Sequence, residues 1–355
     1  MKPLNTTSRV RRTLFADPVP PPLDSAAWLE QKILGQPDAI RTIVPAIRMF
    51  QAGLAPEDRP AGVFLLLGPT GSGKTRTAEA IADFLHGTPK NLLRIDCGEY
   101  QLDHEVAKLI GAPPGYLGHR ETQALLSQQR LNAIASEKSS LTVVLFDEIE
   151  KAAPSLQRLL LGVLDKGTLR LGDNSVVSFD RSLIFMTSNL GAANMAKALT
   201  PQFGFEAFTG GLPAPELDQR LHQIGTNAVK RRFPPEFVNR IDAIISYRPL
   251  DPEALQGILD LQLSELQAHI NKRLGANAFR LAFTRSAKQM LLRLGTSAQF
   301  GARELKRTIL TQVTQPLATL VSSGRIEAGA RVVIEVAPGG DALRITPQNP
   351  NAEAA

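Results

Sequence analysis

Five short apolar runs punctuate the first two thirds of the chain: Val63–Leu67, Leu92–Ile95, Val143–Phe146, Leu183–Met186 and Ala243–Ser246. Successive side chains of a strand point to opposite faces, so a run apolar at both parities predicts a strand covered on both sides. Helical periodicity fills the gaps. After the first run, Ala78, Ile81, Ala82 and Leu85 recur on one helical face, and Gly87 stands where a left-handed cap belongs. Ala26 to Leu54 is helical in pattern, interrupted at Gly35. The prediction is an α/β domain with a five-stranded parallel sheet between helices.

The pattern changes at Pro249-Leu250-Asp251-Pro252. Beyond it, helices are predicted over Glu253–Leu274, Ser286–Leu294 and Ala302–Ser322. Arg331–Val336, a Pro338-Gly339-Gly340-Asp341 turn and Leu343–Ile345 then read as a hairpin. Pro18, Pro20, Pro21 and Pro22 lack backbone donors and suit an irregular leader. The expected division is a leader at 1–25, a large domain at 26–249, a small, mainly helical domain at 250–347 and a tail at 348–355.

Composition narrows the function classes. With 43% hydrophobic and 21% charged residues in 355, the chain reads as a folded globular protein with room for two domains. No run approaches the roughly 18 to 20 apolar residues that cross a bilayer, so no membrane partner is expected. Arg9, Arg11 and Arg12 are followed by no apolar stretch, which disfavours a secretory signal. A single cysteine, Cys97, forms no internal disulfide, and a cytoplasmic location is expected. The net charge of +6 is dispersed, with modest clusters at Lys230-Arg231-Arg232 and Lys306-Arg307. It reads as a solvated surface, and nucleic acid is not the expected partner.

The first strand runs into Gly68-Pro69-Thr70-Gly71-Ser72-Gly73-Lys74-Thr75, and a helix follows. Glycines let backbone N–H groups curl around phosphates at a helix N-terminus, whose dipole favours anions. Lys74 is placed for the β- and γ-phosphates and the Thr75 hydroxyl for Mg²⁺, so ATP and Mg²⁺ are the expected ligands. The third strand ends in Asp147-Glu148, at the edge where parallel sheets bind ligands. Asp147 is the candidate second metal-side residue, and Glu148 the candidate to polarise a water for attack on the γ-phosphate.

Longer stretches carry a family resemblance. They are Ile33-Leu34-Gly35-Gln36, Arg59-Pro60, Leu109 to Tyr116, Asp147-Glu148-Ile149-Glu150-Lys151-Ala152, Met186-Thr187-Ser188-Asn189, Phe237 to Asp242 and Gly301-Ala302-Arg303. Over about residues 27 to 346 the chain resembles the second ATPase domain of the Clp unfoldases ClpA, ClpB and ClpC, within the AAA+ class. The resemblance implies a P-loop NTPase large domain and a small C-terminal domain. It implies that Asn189 is sensor 1, Arg240 an arginine finger serving a neighbouring subunit, and Arg303 sensor 2. A finger acting in trans implies a homo-oligomeric ring, usually of six. Ile33, Leu34 and Ile258 are similar to the apolar residues around adenine, and core packing is an equal reading of them.

Gly115-Tyr116-Leu117-Gly118 resembles the loop that grips polypeptide in the pore; for Tyr116 alone, anchoring its own loop is the other reading. Lys166 to Asp180 occupies the place of a second pore loop. Phe203-Gly204-Phe205 is similar to the tripeptide by which some unfoldases dock on a ClpP-type peptidase, but phenylalanines pinning their own loop fit it too. The first ATPase domain, recruiting N-domain and middle domain of the relatives find no counterpart, and the leader is too short to fold alone. A single-ring machine such as ClpX is therefore the expected analogy, without its metal-binding N-domain. After Gly118 the stretch to Ser140 is longer than the family leads one to expect. The resemblance implies an ATP-dependent unfoldase acting on polypeptide. The alternatives are a regulatory ATPase of a ClpP-type protease and a nucleic-acid-associated AAA+ ATPase.

Overall fold

The computed structural model describes residues 25–111, 124–199, 214–296 and 302–348. Helices α1 (Ser25–Glu30) and α2 (Pro37–Gln51) precede strand β1 (Gly62–Leu67), which feeds α3 (Lys74–His86). Strand β2 (Leu93–Asp96) is followed by α4 (Asp103–Ile110), α5 (Gln128–Ile134) and β3 (Thr142–Asp147). Next come α6 (Pro154–Lys166), the short β4 (Thr168–Arg170) and β5 (Val176–Ser178), and then β6 (Ser182–Ser188). Helices α7 (Ala192–Leu199), α8 (Ala214–Arg232) and α9 (Pro235–Val238) lead to β7 (Ala243–Ser246).

The sheet has the order β2-β3-β6-β1-β7, with every neighbouring pair parallel. Its strands separate two apolar cores. Val63, Leu65 and Leu67 of β1 join one cluster with Val144, Phe146, Ile184 and Met186. Phe64 and Leu66 join the other with Val143, Leu145, Leu183 and Phe185. Both parities are buried because helices cover both faces, as the unbroken apolar runs require. Neither β6 nor β7, the neighbours of β1, follows it directly in the chain, so the crevice at its carboxyl end is a topological switch point.

After β7, the Asp251 side chain accepts from the Ala254 amide at 2.7 Å and caps α10 (Pro252–Leu274). Strand β8 (Arg280–Phe283) and helices α11 (Arg285–Gly295), α12 (Ala302–Ile309) and α13 (Gln315–Ser322) follow, then β9 (Arg331–Val336) and β10 (Leu343–Gln348). This part has its own core, built on Leu259, Leu291, Leu305, Val313, Val332 and Ile334.

Three details depart from the sequence reading. The antiparallel β9–β10 pair was expected, but β8 also joins it, parallel to β9. Four residues of mixed exposure give β8 no periodic signature. The predicted helix over Ala302–Ser322 carries a π turn at Leu310–Thr314, just before Pro316, whose missing N–H breaks the regular ladder. The Lys166–Asp180 segment holds the antiparallel β4–β5 pair. Asn174 at φ 68° turns the chain between these strands, and Asp173 accepts from the Ser175 amide at 2.9 Å.

Candidate nucleotide site

The loop Gly68–Gly73 joins β1 to α3 and supplies the phosphate cradle. Gly73, at φ 102°, is the N-cap of α3 in a left-handed conformation that turns successive amides towards one point. A Cβ on Gly68 would lie 2.8 Å from the Tyr247 carbonyl oxygen, so only glycine lets β1 pass the end of β7 here. Ser72 is buried and donates to the Pro69 carbonyl at 2.9 Å. Lys74 is also buried; its ammonium donates to Gly68 O at 2.7 Å, Pro69 O at 2.9 Å and Asn189 Oδ1 at 2.9 Å. Burial lowers its pKa to about 8, against the opposing pull of Glu150, Asp147 and Glu148.

Across the crevice stand the last residue of β3 and the one after it. Asp147 Oδ1 lies 3.4 Å from the Thr75 hydroxyl and accepts a short bond from Thr187, while Oδ2 pairs with Arg94 at 2.5 Å. Glu148 has φ 57° and ψ 50°, a left-handed conformation uncommon for a side chain of its kind. Its amide donates to Thr187 Oγ1 at 2.9 Å, and its carboxylate meets Asn189 Nδ2 at 3.3 Å and Lys151 Nζ at 2.5 Å. The hydrogen bond and charge of Glu148 raise the Lys151 pKa. The Asn189 amide donates to Glu150 Oε1 at 2.9 Å, which fixes the end of β6 against the turn after β3.

Lys74, Thr75, Asp147, Glu148 and Asn189, chosen from the sequence, thus converge on one edge of the sheet. Thr187, Arg94 and Lys151 join them without having been assigned roles. Thr187 lay inside a quoted motif, and its neighbouring position on β6 was the available signal.

The second domain reaches the same loop. The Ala302 amide donates to Gly71 O at 3.3 Å, which brings the start of α12, with exposed Arg303, to the phosphate cradle. Arg76 of α3 pairs with Glu265 of α10 at 2.5 Å. Leu34 is half-buried against α10, where a Cβ on Gly257 would meet its Cδ1 at 2.9 Å. Ile33 packs in the large-domain core, and Ile258 packs partly buried against the small-domain core.

Arg240 lies elsewhere. The Asp242 amide donates to Val63 O at 2.9 Å and the Asp242 carboxylate accepts from the Val63 amide at 2.8 Å, so this loop sits at the amino end of β1. Arg240 itself contacts Glu236 at 3.2 Å and Asp165 at 3.5 Å. From Val63 to Gly68 is five residues of strand, roughly 16 Å at ~3.3 Å per residue. That exceeds the span of an arginine side chain. Tyr116 and Leu117 of the candidate pore loop and Phe203-Gly204-Phe205 of the candidate docking loop lie outside the described residues.

A family model described as AAA domain (Cdc48 subfamily) matches residues 59–244, just over half of the 355. The chain belongs to the AAA family. The AAA match is followed by a second, at residues 250–334, to the C-terminal, D2-small domain of ClpB protein. Chaperone protein ClpB of Corynebacterium efficiens is 36% identical over 324 residues, which are 91% of this AAA chain and 34% of the relative. The ClpB of Meiothermus ruber is 37% identical over 312 residues, 88% and 34% of the two chains. The chain therefore spans about a third of the length of these curated relatives. Two solved structures share its fold at 29% identity. The S. cerevisiae Hsp104:casein complex in the extended conformation has a TM-score of 0.75 and covers 91% of this chain and 52% of that one. The closed state of Hsp104 with ATPγS and FITC casein has a TM-score of 0.74, covering 92% and 51%. The resemblance to the second ATPase domain of a ClpB-like unfoldase holds over most of the chain, and the AAA fold carries with it a nucleotide-binding site.

Proposed function

We propose that this chain is an ATP-hydrolysing motor subunit that assembles with copies of itself into a ring, expected to be a hexamer, and pulls on polypeptide. One observation carries the reading: a phosphate cradle, two acids and Asn189 meet at the carboxyl edge of the sheet, while Arg240 lies at the opposite end of β1. An arginine that cannot reach its own site is available to the γ-phosphate held by a neighbour. Neutralising charge on the transferring phosphoryl in this way is worth about 10³ to 10⁵ in rate in other NTPases.

In the proposed reaction the loop amides and Lys74 hold the phosphates, the Glu148 carboxylate takes a proton from the attacking water, and Asn189 orients that carboxylate. The donors near the phosphates fit Mg²⁺. The Thr75 hydroxyl and the Asp147 carboxylate are hard oxygens 3.4 Å apart, and among the described residues no group of three or more His, Cys, Asp or Glu could hold a metal ion. So small a protein contribution suits an ion that keeps water and phosphate oxygens. Thr75 and Asp147 would hold the ion, which would supply positive charge to offset that developing on the phosphoryl group. The Ala302 amide on α12, next to Arg303, and the Arg76–Glu265 pair between α3 and α10 give the small domain contacts to the nucleotide loop and its helix. Their change on phosphate release is the proposed source of movement.

The Hsp104 structures with casein and the ClpB relatives support polypeptide as the substrate. Tyr116 and Leu117 are the proposed gripping residues, and a cytoplasmic setting belongs to the same proposal. Docking of a ClpP-type peptidase through Phe203-Gly204-Phe205 is a separable proposal; pull-down of a peptidase by wild type but not by a Phe203→Ala/Phe205→Ala variant supports it. The main test mixes two inactive proteins. Glu148→Gln lacks the base but keeps its arginine, and Arg240→Ala lacks the arginine but keeps its base. Hydrolysis is expected to appear on mixing, at boundaries where Glu148→Gln lends Arg240 to the other subunit's site. Two preparations that stay inactive together, while each still binds ATP and assembles, contradict action in trans.

A further inference from the structure

Gln36 is a buried amide that the nucleotide chemistry does not use. It occupies the N-cap position of α2, where a Ser, Thr, Asp or Asn would cap the helix, yet its side chain makes no capping bond. It reaches outward in two directions instead. Nε2 donates to the Ser72 carbonyl of the phosphate loop at 3.2 Å and to the Arg248 carbonyl at 2.9 Å. Oε1 accepts from the Arg248 amide at 3.1 Å. One planar group therefore bonds both polar atoms of one peptide residue in the interdomain linker and, at the same time, the loop that holds the phosphates.

The surroundings leave this amide little freedom. Gly35, at φ +74°, turns the chain so closely against the linker and α10 that a Cβ there would lie 3.0 Å from Ala254 Cβ and 3.2 Å from Leu250 Cδ2. Arg248 lies between the end of β7 and the Asp251 cap of α10, and its guanidinium is paired with Asp38 at 3.2 Å and with Asp218. The linker is thus anchored at one residue, and its backbone anchor is shared with Ser72. A displacement of the Ser72 peptide cannot leave Arg248 in place without breaking a buried hydrogen bond.

We propose that Gln36 is the positioning residue that couples the phosphate loop to the interdomain linker, so that the state of the loop sets the angle of the small domain. This rests on the ATP-driven reading above. All three partners of Gln36 are backbone atoms, so the coupling depends on the amide of Gln36 and not on which side chains stand at 72 and 248.

The test uses the full chain with cysteines introduced by Arg158→Cys on α6 and Lys272→Cys on α10, both exposed positions, for a distance measurement between two labels. The native Cys97 is buried and its pKa raised, which leaves it unreactive. ATP is expected to change the interdomain distance in the wild-type background. Gln36→Met keeps the length of the side chain and removes all three bonds. It is expected to bind ATP with affinity reduced no more than about tenfold, since neutral hydrogen bonds are worth little net, and to lose the distance change. Gln36→Glu keeps the acceptor and removes both donated bonds, and the same loss is expected if Gln36→Met proves poorly folded. A Gln36 variant whose distance responds to ATP as wild type does overturns the proposal. So does a folded variant that fails to bind ATP, because the residue then serves only the shape of the loop. A wild-type chain that binds no ATP, with Lys74→Ala no different, sinks the ATPase reading instead.

Discussion

Lys74 is the residue whose environment makes the sharpest demand on conditions. Its ammonium is buried among carbonyls, and burial brings its pKa down to about 8. The apo fold carries the cost of that charge below about pH 8, and the cost is relieved as pH rises towards the ordinary value of 10.5. Phosphates favour the protonated form, so above pH 8 binding must take up a proton. ATP affinity is expected to be flat to about pH 7.5 and then to fall, approaching tenfold per unit. Lys74→Arg should bind with a flat profile to about pH 9.5, because a guanidinium keeps its charge. Equilibrium titration with a fluorescent ATP analogue across pH 6.5–9.5 checks both. Lys74 was legible in the sequence because the glycine-rich loop has a fixed spacing between strand and helix. Gln36 stood in the Ile33-Leu34-Gly35-Gln36 stretch, but its role was not legible there, because its partners are backbone atoms 36 and 212 residues away. Arg94 was hidden for a related reason: it becomes meaningful only once the pairing of Asp96 with Asp147 sets β2 beside β3.

Strand β1 shows how an element is fixed at both ends. At its carboxyl end the Tyr247 amide donates to Leu67 O at 2.6 Å, and the Tyr247 hydroxyl donates to Thr77 Oγ1 at 2.7 Å. At its amino end Asp242 binds the Val63 amide and pairs with Arg59 at 2.7 Å. Asp242→Ala strips the Val63 amide of its partner and frees Arg59. A loss of about 1–3 kcal/mol in unfolding free energy is expected for the unsatisfied amide, measurable by urea denaturation. Hydrolysis in the assembled protein should fall as well, since Arg240 is two residues away. The central strands β3, β6 and β1 were readable because burial on two faces leaves no room for polar alternation, which appears only at the edge, where Arg94 and Asp96 of β2 are exposed. β8 and the π turn before Pro316 were not, because a four-residue strand of mixed exposure and a one-residue shift in helical bonding leave the hydrophobic pattern almost unchanged.

At the level of the whole molecule, the proposed role of Arg240 separates binding from turnover. Under the proposed action in trans, ATP binding requires one chain, whereas hydrolysis requires two. Specific activity is therefore expected to rise with protein concentration and collapse on dilution, while nucleotide affinity changes little. Tyr116→Ala should leave hydrolysis within about threefold of wild type and abolish unfolding of a tagged substrate followed by fluorescence. Normal unfolding by that variant removes Tyr116 from the proposed gripping surface. Glu148 adds a different consequence. Its left-handed backbone is a shape that asparagine or glycine adopts with less penalty, and strain of this kind costs on the order of 1–3 kcal/mol. Glu148→Asn is expected to stop hydrolysis and yet melt no earlier than wild type, and plausible sequences at this spot can be ranked in opposite orders by calorimetry and by turnover. Directed evolution that rewards heat resistance alone would drift towards a tougher protein that no longer works.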